Sequence, residues 1–142
     1  SAVVALDAYQ KFLRSPISCH FIMDSHMQLM HASLTQPEDC AFVVTHTGVT
    51  KEMLAIARMV KSAGGKVIVI TSYPNAKISE YADVTFVSTS EETGYRSESL
   101  SSRYPQLAII DSLYTTLMFR NPNASESLSR IRTIISTTKE DH

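Results

Sequence analysis

The chain has 142 residues, of which 44% are hydrophobic and 19% are charged. This length allows one domain with a sizeable core and is too short for two comfortable ones. Thirteen Lys and Arg against fourteen Asp and Glu give a formal net charge of −1, which excludes a basic nucleic-acid-binding surface on these residues themselves.

An amphipathic helix opens the predicted fold, because apolar side chains recur at helical spacing through residues 2–14. A short strand is predicted at 19–23, and Asp24 or Ser25 is placed to cap a second helix that follows it. A continuous apolar strand is then expected at 40–45.

The clearest helical pattern covers residues 50–63, and two consecutive glycines end it. A strand rich in β-branched residues follows at 66–71, of the kind that is buried on both faces of a parallel sheet. A turn, a short helix near 76–81 and a further strand at 84–87 are expected after it.

A polar stretch at 88–103 precedes two final helices, expected at 104–119 and at about 125–137. Because strands alternate with helices, we predict a single α/β domain, a three-layer αβα fold with a doubly wound parallel sheet. Such a domain usually begins with a strand, whereas this chain opens in a helix. We therefore expect the first strand of the sheet to lie upstream of Ser1.

The cysteines and histidines predict neither a disulfide nor a metal site. Cys19 and Cys40 each open a predicted buried strand, which favours reduced core cysteines in a cytosolic protein. His20, His26 and His31 lack metal-ligand spacing. The longest apolar runs are much shorter than the ~20 residues of a membrane-spanning helix, so we expect a cytoplasmic protein with no membrane partner.

Hydroxyl side chains and one glycine crowd the joint between the strand at 40–45 and the helix that begins near Thr50. Ligands of open parallel sheets bind beyond the carboxyl ends of the strands, where this helix points its unpaired N–H groups and positive dipole end. Thr45 and Thr47 add hydroxyl donors, and Gly48 allows close approach of the backbone. The pattern indicates a phosphate site; alternatively, the threonines only cap the helix and the glycine only serves a turn.

The segment 45–52, Thr-His-Thr-Gly-Val-Thr-Lys-Glu, resembles the S-x-S-G-x-T-x-E segment of SIS (sugar isomerase) domains, which bind phosphosugars. The stretches 63–72, 82–84 and 90–92 match the same family in order. The stretch 95–113 is similar to the effector domain of RpiR/MurR-type transcriptional regulators. The resemblance extends over nearly the whole chain and implies the flavodoxin-like SIS fold.

The resemblance implies that hydroxyls and backbone amides of the joint hold a phosphate, at Thr45, His46, Thr47, Gly48 and Thr50. Threonine replaces both serines of the family segment, which keeps the hydroxyl and adds a methyl group. A serine that opens the helix after the first strand also contributes in SIS domains, and Ser1 falls at that position.

Further site residues are expected along the same edge and in the polar stretch. Thr71 and Ser72 end the next strand and are expected to line the edge, although Ser72 fits a turn equally well. The resemblance places Glu98 among the phosphosugar-binding residues and Arg96 and Arg103 at the pocket or a subunit interface.

The resemblance favours a sensor over an enzyme. A phosphosugar would bind at the joint and change the packing of a homodimer or tetramer, and a helix-turn-helix domain upstream of this chain would bind DNA. This function needs no cofactor and no catalytic residue. The alternative is an aldose–ketose phosphosugar isomerase or a related lyase, for which Glu98, Glu92 or His46 could serve as the general base. A third possibility is an assembly module that binds no phosphosugar.

Overall fold

The computed structural model describes residues 1–89 and 102–139, and these form a three-stranded parallel sheet with helices on both faces. The strands β1 (Cys40–Val44), β2 (Lys66–Thr71) and β3 (Val84–Val87) lie side by side in that order. The helices are α1 (Ala2–Phe12), α2 (Ser25–Ser33), α3 (Lys51–Ser62), α4 (Arg103–Arg120) and α5 (Ala124–Ser136), with a 3₁₀-helix at Lys77–Tyr81.

Two apolar clusters hold the three layers together. On one face of the sheet, α2, α3 and the 3₁₀-helix cover Val43, Val67 and Val69. On the other face, α1 and α4 cover Val44 and Ile70. Successive strand residues point to opposite faces, so β1 and β2 supply apolar side chains to both clusters. The predicted three-layer αβα architecture is confirmed.

Local signals in the sequence place most element boundaries. Asp24 accepts a hydrogen bond from the Met27 backbone N–H at 2.9 Å and caps α2, as predicted. After α3, Gly64 adopts a φ of +84°, the left-handed conformation that ends helices and that glycine adopts without a steric penalty.

The predicted strand at 19–23 is wrong. These residues pair with no strand of the described sheet; instead, the Gln28 side-chain amide donates to the Ile22 carbonyl at 2.7 Å. Met23 is 75% exposed, so the apolar pattern here does not reflect a buried strand. The interpretation of the cysteines as core residues also fails, because Cys40 is exposed at the first position of β1 and Cys19 is only half-buried.

Among the described helices, none is both long enough and apolar enough to cross a bilayer.

Asp83 anchors the start of β3 to β2. Its backbone N–H donates to the Val67 carbonyl, and its carboxylate accepts from the Val67 N–H, both at 2.8 Å. The Lys61 ammonium donates to the same carboxylate. The bond from Lys61 and then the bond from the Val67 N–H lower the pKa of Asp83.

This lowered pKa predicts an acid-dependent stability difference between the wild type and Asp83→Asn. The carboxylate stabilises the fold above the unfolded-state pKa of about 3.9, and this contribution is lost as the pH falls through the lower folded-state pKa. We expect Asp83→Asn to have a lower free energy of unfolding at pH 7, with the difference shrinking towards pH 3. Urea unfolding at both pH values measures it. Asp111→Asn, which removes an exposed carboxylate that pairs with Lys11, is the control and should have little effect. A loss of equal size at both pH values would contradict the assignment.

Candidate functional site

The joint after β1 is a tight turn built around Thr45 and Gly48. The Thr45 backbone N–H donates to the Ile70 carbonyl at 3.0 Å and so extends the pairing with β2 beyond the last residue of β1. The buried Thr45 hydroxyl accepts from the Gly48 N–H at 3.2 Å. Gly48 has a φ of +68°, a left-handed conformation that a side chain would strain.

Gly48 is also a point of close approach between two turns. A Cβ at this position would lie 2.6 Å from the Cβ of Ala76 and 3.0 Å from Cγ2 of Ile78. The Gly48 carbonyl accepts from the Ile78 N–H at 3.1 Å. The turn before α3 is therefore fixed against the segment that leads into the 3₁₀-helix.

The N-terminus of α3 opens at this joint without a side-chain cap. Thr50 occupies the N-cap position with an extended backbone, and its hydroxyl makes no capping hydrogen bond. Thr47 and Thr50 are both exposed. The simple helix-cap interpretation therefore does not account for the Thr50 hydroxyl, which lies beside the first-turn N–H groups at the positive end of α3.

His46 joins the ends of β1 and β2. Its carbonyl accepts from the Thr71 hydroxyl and from the Ser72 N–H, each at 3.0 Å. Its ring Nδ1 is 2.8 Å from the Ser72 hydroxyl, and its ring centroid is 5.6 Å from that of Tyr73. Thr71 is fully buried and Ser72 half-buried, so both strand-end residues lie at the predicted edge.

The N-termini of α1 and α4 lie at the same edge. The hydroxyl of Ser102, the residue before α4, is 3.4 Å from Nδ1 of His46. Ser1 precedes α1 and lies near the guanidinium of Arg103, the first residue of α4. Three helices thus begin where β1 and β2 end, an arrangement that favours an anion.

Buried polar side chains concentrate at this edge. All but one of the fully buried polar residues that the structure describes belong to β-strand ends or to the start of α4: Thr45, Thr71, Ser88, Ser102 and Gln106. The exception is Ser15, which follows α1. A layer of buried hydroxyls and one amide thus lies at the edge where the helices begin.

The structure brings most of the predicted joint residues together. Glu98, Arg96 and Glu92 lie outside the described residues. Sequence reasoning missed Ser102 and Gln106. Gln106 was detectable as a polar residue one helical turn before Ile110, on the face of α4 that its apolar spacing marks as buried. Among the described residues, no cluster of His, Cys, Asp and Glu suits a metal ion.

Comparison with protein families and curated proteins gives a consistent result. The SIS domain family model matches residues 1–116. An uncharacterised HTH-type transcriptional regulator of Thermotoga maritima is 34% identical over 139 residues, which are 98% of this chain and 50% of that protein. The HTH-type transcriptional regulator RpiR of Escherichia coli K12 is 33% identical over 117 residues, 82% of this chain and 40% of that protein. The chain spans about half the length of such relatives or less.

Solved structures share the fold. The Vibrio vulnificus NanR protein complexed with ManNAc-6P superposes with a TM-score of 0.88 at 19% identity, covering 99% of this chain and 53% of that one. A putative sugar-phosphate isomerase of Listeria monocytogenes superposes with a TM-score of 0.78 at 26% identity, covering 92% of this chain and 70% of that one. At 19% identity, the similarity to the NanR structure supports the fold alone.

The two left-handed glycines provide a matched test of the joint. Gly48→Ala and Gly64→Ala each cost about 1 kcal/mol for a left-handed alanine. A Cβ at Gly64 meets nothing closer than 3.5 Å, whereas one at Gly48 collides with Ala76. We expect Gly48→Ala to lower the free energy of unfolding by at least about 1 kcal/mol more than Gly64→Ala. Chemical denaturation of the two variants measures this, and equal losses would mean that the joint is not held against the 3₁₀-helix.

Proposed function

The chain belongs to the SIS domain family, and we propose that it is the phosphosugar-sensing domain of a bacterial-type transcriptional regulator of carbohydrate metabolism. The observation that supports this most is the joint before α3. There the exposed Thr47 and Thr50 hydroxyls and the uncapped helix N-terminus surround a glycine that allows close backbone approach. Neutral donors at a helix N-terminus are a general means of binding a phosphate group.

A sensor fits the joint better than an isomerase does. Proton transfer on a sugar needs a general base within hydrogen-bond reach of the reacting carbon's substituents. Nδ1 of His46 is already engaged by the Ser72 and Ser102 hydroxyls, which suits a structural link between three elements. The curated relatives at 33–34% identity are named as transcriptional regulators, and RpiR-type regulation is therefore our preferred function. The isomerase remains the second candidate, supported by the Listeria neighbour.

We assign DNA binding to a region of the protein outside this chain. This chain has a formal charge of −1, and it spans only 40–50% of the length of its regulator relatives. The proposal therefore includes a helix-turn-helix domain and the first strand of the sheet, both upstream of Ser1, and a cytoplasmic location.

Self-association is the second part of the proposal. Met23, Met27, Met30 and Leu34 recur at helical spacing along α2 and its flanks, and all four are exposed. Exposed apolar stripes of this kind mark interaction surfaces. A homodimer or tetramer would bury this stripe between subunits. Binding of the phosphosugar would then change how the subunits are arranged.

The first test is thermal unfolding with a panel of phosphosugars and with inorganic phosphate. A ligand at 100 times its Kd adds about 2.7 kcal/mol to the free energy of unfolding, so binding raises the Tm clearly. We expect Thr50→Val to weaken binding of the responding sugar at least about tenfold, because it removes a hydroxyl that donates to a charged group. Thr115→Val, at an exposed position on α4, is the matched control.

The fate of the responding sugar separates the candidates. Recovery of the sugar chemically unchanged supports the sensor, and its turnover supports the isomerase. If the protein is folded and no phosphosugar changes its Tm, the assembly module is the only one of the three functions that remains.

The second test concerns DNA. We expect the full-length protein to bind its operator and this chain alone to leave the same DNA unbound, because the basic contacts belong to the upstream domain. The responding phosphosugar should change the operator affinity of the full-length wild type and leave that of full-length Thr50→Val unchanged at the same sugar concentration. Fluorescence anisotropy with labelled operator DNA measures both. Operator binding by this chain alone would refute the assignment of DNA binding to the upstream domain.

A further inference from the structure

The side chain of Gln106 is buried, and its amide nitrogen has no hydrogen-bond partner among the described residues. Only 2% of the residue is exposed. Burying an amide N–H without an acceptor is unfavourable, and folded proteins rarely leave one so. The other buried side chains of the edge differ, since Thr45, Thr71 and Ser88 each make hydrogen bonds.

The position of Gln106 follows from its neighbours on α4. Ile110, one helical turn later on the same face, is fully buried against Val44 and Ile70, which lie at the carboxyl ends of β1 and β2. Helical side chains tilt towards the helix N-terminus. The Gln106 amide therefore lies closer than the Ile110 side chain to the carboxyl ends of the strands, or lies beyond those ends.

The start of α4 fixes the other side of this position. The Gln106 backbone N–H donates to the Ser102 carbonyl at 3.1 Å, and the Ser102 hydroxyl is 3.4 Å from Nδ1 of His46. Gln106 therefore sits between the packed core and the residue that joins β1 to β2. From this position, the tilt of helical side chains towards the helix N-terminus directs the Gln106 amide towards the start of α4.

We propose that Gln106 is a specificity-determining residue that donates a hydrogen bond from Nε2 to an oxygen of the sugar portion of the ligand. This inference rests on the proposed phosphosugar-sensing function. The joint at Thr47 and Thr50 holds the phosphate, and Gln106 holds a hydroxyl, carbonyl or carboxylate oxygen of the sugar. The unpaired amide is then satisfied only in the bound state, and it distinguishes a phosphosugar from phosphate alone.

The test compares Gln106→Met with the wild type in the full-length protein. The probes are inorganic phosphate, glucose 6-phosphate, N-acetylglucosamine 6-phosphate, ribose 5-phosphate and 6-phosphogluconate, with Kd measured by calorimetry. For each phosphosugar that binds the wild type, we expect Gln106→Met to raise the Kd about tenfold, or about 1.4 kcal/mol. The Kd for inorganic phosphate should stay within about twofold. The Tm without ligand should be equal or higher, because methionine needs no hydrogen bond.

Gln28→Met is the matched control, because the Gln28 amide already donates to the Ile22 carbonyl at 2.7 Å. It should lower the Tm and leave every Kd unchanged. If Gln106→Met does not fold, Gln106→Leu removes the same donor without adding a charge, and it is expected to raise the phosphosugar Kd and to leave the phosphate Kd unchanged.

The outcomes separate the two proposals. Unchanged phosphosugar affinity in Gln106→Met would overturn this inference and leave the sensor function intact. Equal losses for the phosphosugars and inorganic phosphate would also overturn it, since the defect would then be general to the edge. A wild type that binds none of the phosphosugars overturns the sensor function itself.

Discussion

The site depends on the carbonyl oxygen of His46, which accepts hydrogen bonds from the Thr71 hydroxyl and the Ser72 N–H at 3.0 Å. These two bonds continue the pairing of β1 with β2 past the last ladder residues and fix where the chain turns towards α3. The left-handed Gly48 completes the turn, because only a residue without a Cβ fits against Ala76. The positions of Thr47 and Thr50 follow from this turn.

Parallel topology explains why one edge collects so many polar groups. In a parallel sheet every strand ends at the same edge, and the helices that follow the strands begin there. Here α1 and α4 add their N-termini, as the hydrogen bond between Ser102 and His46 and the proximity of Arg103 to Ser1 indicate. The edge therefore concentrates positive dipole ends, and the buried hydroxyls below it keep their hydrogen-bonding capacity satisfied by the backbone.

The sequence predicts those features that local chemistry decides, and it fails where long-range contacts decide. The short run at 66–71 identifies β2 by its β-branched residues, and the amphipathic run before Gly64 identifies α3 by its helical period. The apolar run at 19–23 fits a strand equally well, but it has no neighbouring strand to pair with in the described sheet. The family segment at 45–52 locates the joint. The hydrogen bond between His46 and Ser102, in contrast, joins residues far apart in the chain. No local pattern encodes such a link.

A regulator places a large energetic demand on this edge. Moving a two-state equilibrium from 1:99 to 99:1 requires a difference in binding free energy of about 5.5 kcal/mol between the two states. A hydrogen bond to a charged group contributes about 1.5–3 kcal/mol, so the two exposed hydroxyls of the joint supply the whole difference only if both bonds form at full strength in one state and are absent from the other. Inorganic phosphate would also engage that turn, and a sensor that responded to phosphate would not report on sugars. Contacts from α1 and α4 are therefore needed for the selectivity, and they would add to the energy difference. Because Ser102 ties α4 to His46, a ligand that spans these elements would favour one placement of α1 and α4 over another, which is the coupling that an effector domain has to provide.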